Sequence, residues 1–181
     1  GKPKRVLLVV VEAMGQFQDP AKQAILLQSF RDADLLNRYD VSIGNSTYYG
    51  STTAAEMREL CNTRKSYLEV AKDDGIVCLP KLMEERGYRT ISLHNFTSAF
   101  FDRADWYPKL GFEKRIFSQD LRHVGKHQCG GPFRGPCDTD LIPLIGKELR
   151  EAKQPTFFYW MTFSTHVPIA PHEGTPRLGC E

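Results

Sequence analysis

Six consecutive apolar residues, Val6 to Val11, four of them Val, run into a single carboxylate at Glu12. The run is short, β-branched and free of polar alternation, which predicts a central parallel strand covered on both faces. Arg89–Leu93 (Arg-Thr-Ile-Ser-Leu) and the aromatic run Thr156–Phe163 also read as strands, with Phe112–Phe117 as a fourth and Tyr39–Gly44 as an extended segment. Between them lie stretches with helical spacing: Pro20–Leu36, Thr53–Asn62, Leu79–Arg86 stopped by Gly87, and Asp140–Lys153. Ser118–Cys137, with two His, four Gly and two Pro, reads as one long loop. Strands that alternate with helices predict an α/β fold with a mainly parallel, doubly wound sheet flanked by helices.

Composition narrows the class. The chain has 181 residues, 41% hydrophobic and 25% charged, which is ordinary for a globular protein with a real core. Its net charge of +2 argues against a dominant nucleic-acid surface. No apolar stretch approaches the roughly 18 residues needed to span a bilayer. The chain opens Gly1-Lys2-Pro3-Lys4 without Met, so it is expected to be a piece of a longer protein. Five cysteines stand at 61, 78, 129, 137 and 180, none in a CxxC pair. Cys129 and Cys137 flank a Gly/Pro-rich loop that a disulfide could close in an oxidising compartment, and Cys61 and Cys78 could form a second bridge, leaving Cys180 over. Five reduced, buried thiols are the alternative.

Candidate chemistry gathers at strand ends. Glu12 follows the first strand, at the edge where open α/β sheets bind ligands, and is a candidate metal ligand or general base. Gly50-Ser51-Thr52-Thr53 leads into a helix. Hydroxyls there lie beside unpaired N–H groups and the positive end of the helix dipole, where an anion such as phosphate binds and a hydroxyl can serve as nucleophile. A plainer reading is a capping box, since Thr53 precedes Glu56 by three residues. His94 follows the strand ending at Leu93, and His166 follows the strand ending at Phe163. Arg103, in Phe-Phe-Asp-Arg, is suited to clamp phosphate.

Four ordered blocks carry a family resemblance: Val-Val-Val-Glu-Ala-Met-Gly (9–15), Gly-Ser-Thr-Thr-Ala-Ala-Glu-Met-Arg-Glu-Leu-Cys (50–61), Leu-His-Asn-Phe…Phe-Phe-Asp-Arg…Tyr-Pro-Lys-Leu-Gly-Phe (93–112) and Thr-Phe-Ser-Thr-His-Val-Pro (162–168). The set resembles the alkaline-phosphatase superfamily, specifically its sulfatase-like membrane transferases: lipoteichoic acid synthase, phosphoglycerol transferases and lipid A phosphoethanolamine transferases. The resemblance implies Glu12 as a metal ligand and Thr52 as nucleophile and second ligand, with Ser51 and Thr53 as neighbouring alternatives. It implies His94, Arg103 and His166 as residues that hold the phospho-group or its head group. Phe101 falls where lipoteichoic acid synthase has a substrate-contacting Trp.

The function implied is metal-dependent transfer of a phosphoethanolamine or phosphoglycerol head group from a phospholipid donor to a glycan or lipid acceptor, through a phospho-Thr intermediate. Zinc or manganese suits such a site. The implied setting is the periplasmic or extracellular face of a bacterial inner membrane, with an anchor outside this chain. Alternatives are a phosphodiesterase or phosphatase of the same superfamily, and a non-catalytic domain that binds a head group or a partner. The family completes its metal site with an Asp-His-Gly motif, and this chain has no Asp-His dipeptide; Asp138, Asp140 and His172 stand in other contexts. Residues 1–181 are therefore expected to form the N-terminal portion of one catalytic domain, inactive alone. A true sulfatase would need Cys-x-Pro-x-Arg, and Cys78-Leu79-Pro80-Lys81-Leu82 ends in Leu. A second metal site from His123, His127 and Cys129 is a weaker alternative to a disulfide-closed loop.

Overall fold

The computed structural model describes residues 4–124, 127–131 and 133–168. The chain divides into two compact units, Met14–Tyr49 and the remainder.

In the larger unit, β1 (Arg5–Val10) ends two residues before Glu12. The unit resumes after the small one, whose helices are α1 (Pro20–Leu26) and α2 (Ala33–Leu36). There follow α3 (Thr52–Cys61), α4 (Tyr67–Val70), α5 (Leu79–Glu85), β2 (Arg89–His94), α6 (Arg103–Trp106) and β3 (Lys114–Ile116). A two-residue ladder of β4 (Gln128–Cys129) and β5 (Gly135–Pro136) leads into α7 (Asp138–Arg150) and β6 (Thr156–Met161). The main sheet has the order β1-β6-β2-β3, and every pairing in it is parallel. The predicted parallel α/β sheet flanked by helices is the observed architecture.

The last strand in sequence lies in the middle of the sheet. Met161 of β6 is level with Val10 on one side and His94 on the other. The C-terminal ends of these strands therefore share one edge, where His94 ends β2 and from which the loops carrying Glu12 and His166 leave.

β6 separates two cores because successive side chains point to opposite faces. Phe157 and Tyr159 pack with Met57, Leu60, Met83 and Trp106 from the α3, α5 and α6 side. Phe158 packs with Ile91, Leu93, Leu141 and Ile145 on the α7 side. Each such side chain, fully buried, contributes about 1.5–3 kcal/mol.

Several expectations need correction. β1 is an edge strand of this sheet: Leu7 and Val9 are 45% and 38% exposed, while Val6, Leu8 and Val10 pack against the core. Strand order depends on where each crossover returns, and one strand's composition does not record that. Pro20–Leu36 is two helices, because Asp32 is extended and its carboxylate caps a new helix through Asp34 N and Leu35 N, after a 3₁₀ turn at Gln28–Arg31. Tyr39–Gly44 forms no strand. Phe112–Phe117 contributes only Lys114–Ile116 to the sheet. The loop Ser118–Cys137 contains a 3₁₀ turn and the β4–β5 ladder.

Candidate functional site

α3 begins at Thr52, with Ser51 extended as its N-cap. Gly50 precedes it at φ +76°, and a Cβ there would lie 2.6 Å from Ala54 Cβ, so both backbone and space require glycine. This turn delivers Thr52 to the end of β1. The Thr52 hydroxyl donates to Glu12 Oε1 at 3.0 Å. Glu12 is fixed through its backbone: its N–H donates to Thr162 Oγ1 at 3.0 Å, and the Thr165 hydroxyl donates to its carbonyl. Both threonines belong to the segment that continues β6 towards His166. Ala13, directly after Glu12, holds φ +53°, a left-handed conformation uncommon for a residue other than glycine.

The neighbouring hydroxyls are arranged differently. Ser51 Oγ and Thr53 Oγ1 lie 3.1 Å apart and share a hydrogen bond. The capping box expected of Thr53 and Glu56 does not form. Glu56 is completely buried and accepts hydrogen bonds from Arg103 (Nη2 at 2.7 Å), Tyr107 and Tyr159.

That network absorbs Arg103. Its Nη1 donates to the Phe100 carbonyl at 3.0 Å, and the Phe101 ring centroid lies 5.4 Å from Cζ. Burial opposes the Arg103 charge most strongly of any single influence, but Glu56 together with Tyr107 and Tyr159 outweighs it and raises the guanidinium pKa. Burial, then Glu56, pushes the phenols of Tyr107 and Tyr159 well up. Arg103 is thus packed inside the protein with its guanidinium turned to Glu56. Phe101 and Asp102, just before it, both hold positive φ, at 56° and 52°.

His94 ends β2 and is 1% exposed. Its Nδ1 faces the Met161 carbonyl at 3.3 Å, which fits an Nδ1–H tautomer, and its buried Nε2 has no hydrogen-bond partner among the described residues. Burial first, then the Arg103 charge, holds its pKa well below the usual histidine value. The ring is therefore a neutral imidazole with a free Nε2 lone pair. His94 packs edge-on to Phe163 at 5.3 Å, and half-buried His166 lies 5.4 Å from the same ring. The structure thus joins Glu12 to Thr52 directly, and His94 to His166 across Phe163.

Sequence reasoning missed the residues that hold these groups in place. Thr162 and Thr165 fix Glu12. Asp138 binds the ends of both histidine strands, accepting from Asn95 Nδ2 at 2.9 Å, Phe163 N at 3.0 Å and Ser164 N at 2.7 Å. Only the adjacency of Thr162 and Thr165 to His166 could have flagged any of them.

The sequence resemblance implies a divalent metal at Glu12 and Thr52. A carboxylate and a hydroxyl 3.0 Å apart fit as adjacent hard donors to one such cation. Among the described residues no group of three or more His, Cys, Asp or Glu converges there. The alternative centre at His123, His127 and Cys129 is excluded: Cys129 is bonded to Cys137, and His127 Nδ1 lies 3.2 Å from Asp140. Cys61 is bonded to Cys78, so Cys78 cannot supply a sulfatase-type nucleophile. Both disulfides that the spacing suggested are present. Cys180 and His172 lie outside the described residues. No helix among those residues is long and apolar enough to cross a membrane.

A family model described as Sulfatase matches residues 4–177. No curated protein matches the chain. The lipoteichoic acid synthase LtaP from Listeria monocytogenes is similar at a TM-score of 0.52 and 20% identity, covering 67% of this chain and 31% of that one. A protein in the alkaline phosphatase superfamily from Vibrio parahaemolyticus is similar at 0.58 and 16%, covering 100% of this chain and 44% of that one. The chain thus spans less than half of either relative, and at such identity the likeness shows the fold. With nearly its whole length matched by the family model, the chain belongs to the sulfatase family, within the alkaline phosphatase superfamily, whose chemistry is on phosphate and sulfate esters.

Proposed function

We propose that this chain supplies the nucleophile side of a phosphotransferase site, with Thr52 accepting a phospho-head group from a phospholipid. The observation that carries this reading is the 3.0 Å hydrogen bond from the Thr52 hydroxyl to Glu12 at the N-terminus of a ten-residue helix. The helix dipole favours the negative charge that phosphate brings. Glu12 orients the hydroxyl and receives its proton. A bond then forms from Thr52 Oγ1 to phosphorus, the phosphorus–oxygen bond to diacylglycerol breaks, and the proton passes to the departing oxygen. An acceptor hydroxyl on a glycan or lipid reverses the sequence, taking the phospho-head group and returning its proton to Thr52.

Half-buried His166 is the imidazole open to a head group, and neutral, buried His94 backs it across Phe163. Arg103 acts through Glu56 as a structural partner of the nucleophile helix. A zinc or manganese ion held by Glu12 and Thr52 with further ligands would supply Lewis-acid stabilisation of the phosphoryl oxygens and ease loss of the hydroxyl proton. With only these two proposed ligands meeting among the described residues, the chain alone is expected to bind metal weakly and turn over little. The two disulfides suit an oxidising compartment such as the periplasm, where phospholipid head groups are available at the membrane surface.

The test uses vesicles of phosphatidylethanolamine or phosphatidylglycerol with zinc or manganese, applied to the chain and to the protein extended through an Asp-His-Gly region. Peptide mass spectrometry should find a head-group phosphate adduct on Thr52 in the extended form, with diacylglycerol released, and neither in Thr52→Ala. Water-soluble head group released with no adduct would favour the phosphodiesterase reading. Neither product would leave a head-group- or partner-binding domain.

A further inference from the structure

Asp138 has no part in the chemistry above, yet it meets both strand ends that carry the histidines. It is the first residue of α7, a thirteen-residue helix. Its Oδ1 accepts from Asn95 Nδ2 at 2.9 Å, and Asn95 directly follows His94. Its Oδ1 and Oδ2 accept from Phe163 N at 3.0 and 3.2 Å, and Oδ2 accepts from Ser164 N at 2.7 Å. In return its backbone N–H donates to Ser164 Oγ at 2.8 Å. Two residues beyond Ser164 stands His166.

The loop before Asp138 closes against the same segments. The Cys129–Cys137 disulfide joins its ends and Cys137 adjoins Asp138. Phe133, inside the loop, meets His166 at 4.9 Å between ring centroids. Gly135 lies so close to the Asn95 carbonyl that a Cβ there would fall 2.0 Å from it.

We infer that Asp138 is the positioning residue for His94 and His166, one carboxylate fixing both imidazoles through the backbone and side-chain donors beside them. A carboxylate that accepts three N–H donors is an unusually stiff joint, since charge-assisted hydrogen bonds are about twice as strong as neutral ones. The same segment reaches Glu12 through Thr162 and Thr165. Asp138 therefore sets the placement of the histidines relative to the nucleophile pair. The catalytic consequence rests on the proposed roles of His94 and His166; the structural consequence does not.

The experiment is Asp138→Asn, which keeps the shape but replaces one carboxylate oxygen with an NH2 donor, so that at least one of the three N–H groups loses its acceptor. Imidazole resonances of His94 and His166 are compared with wild type by NMR, alongside the Thr52 amide and the melting temperature. Affinity for glycerol phosphate and phosphoethanolamine is measured in parallel. We expect both imidazole resonances to move, the Thr52 amide to stay, and affinity to fall by about tenfold or more. Unmoved imidazoles would overturn the inference and leave Asp138 as a helix cap. Should Asp138→Asn not fold, Ser164→Ala removes one hydrogen bond of the joint and must move His166 alone; an unmoved His166 there also overturns it. If the imidazoles move while wild type binds neither head group, the positioning role stands and the proposed function fails.

Discussion

Glu56 and Arg103 form an ion pair at 2.7 Å in which neither side chain is more than 1% exposed, although 47 residues separate them. The pair locks the nucleophile helix to the segment after β2, and Tyr107 and Tyr159 complete the shell around the carboxylate. Removing one partner strands a charge in the interior. Glu56→Ala is expected to destabilise the fold by about 3–5 kcal/mol, read as a lower urea midpoint. Replacing both partners with apolar residues should cost less than the single change. If Glu56→Ala unfolds at the wild-type midpoint, the pair is not the joint described.

Thr52 is distinguished from its neighbours by its partner. Its hydroxyl meets Glu12, while those of Ser51 and Thr53 meet each other. In the protein extended through the Asp-His-Gly region, Thr52→Ala should lower head-group transfer by about three orders of magnitude or more, with little change in melting temperature. Ser51→Ala should retain most of the rate. A rate that follows Ser51 or Thr53 instead would move the nucleophile by one position.

How far the sequence could be read depended on whether a feature was local. β6 was legible because it runs apolar and aromatic for most of its length, β2 because Thr90, Ile91 and Leu93 are strand-favouring residues following the helix stop at Gly87, and the two disulfides because each closes a short span. The order of the strands was not, since nothing in Val6–Val11 says that β6 returns beside it and leaves the other edge bare. Glu56 was read as the capping partner of Thr53 because helix spacing reports only neighbours three and four residues away. Its true partners lie 47, 51 and 103 residues distant. Glu12, Thr52, His94 and His166 were found from strand ends and helix starts, which a parallel sheet necessarily collects on one edge. Asp138, Thr162 and Thr165 act through backbone groups, and no motif announces that.

His94 makes stability sensitive to mild acid. Its folded pKa is held well below 6.5 by burial and by Arg103. Between that depressed value and about 6.5, the unfolded chain binds a proton that the folded chain refuses. Stability is then full above pH 6.5 and falls as pH drops, by at most about 1.4 kcal/mol per pH unit for one group. Urea midpoints from pH 7.5 to 5 should show this slope, and His94→Gln should flatten it relative to wild type. The other histidines are common to both proteins and cancel in the comparison. Equal slopes would mean that the imidazole is not desolvated as the structure places it.

The two disulfides should separate in their effects. Cys61 ends α3 and Cys78 caps α5, and the bond between them closes a span of 17 residues within the core. Replacing both with Ser should cost about 3 kcal/mol and lower the melting temperature without moving the imidazole resonances. The Cys129–Cys137 bond closes a span of only 8 residues, and its loop lies against His166 and Asn95. A shorter loop restricts the unfolded chain less, so Cys129→Ser with Cys137→Ser should cost less stability and should move the His166 resonance. Melting curves and histidine spectra of the two double variants decide the matter. If the 61–78 variant moves His166 and the 129–137 variant does not, the loop is a surface closure with no bearing on the site.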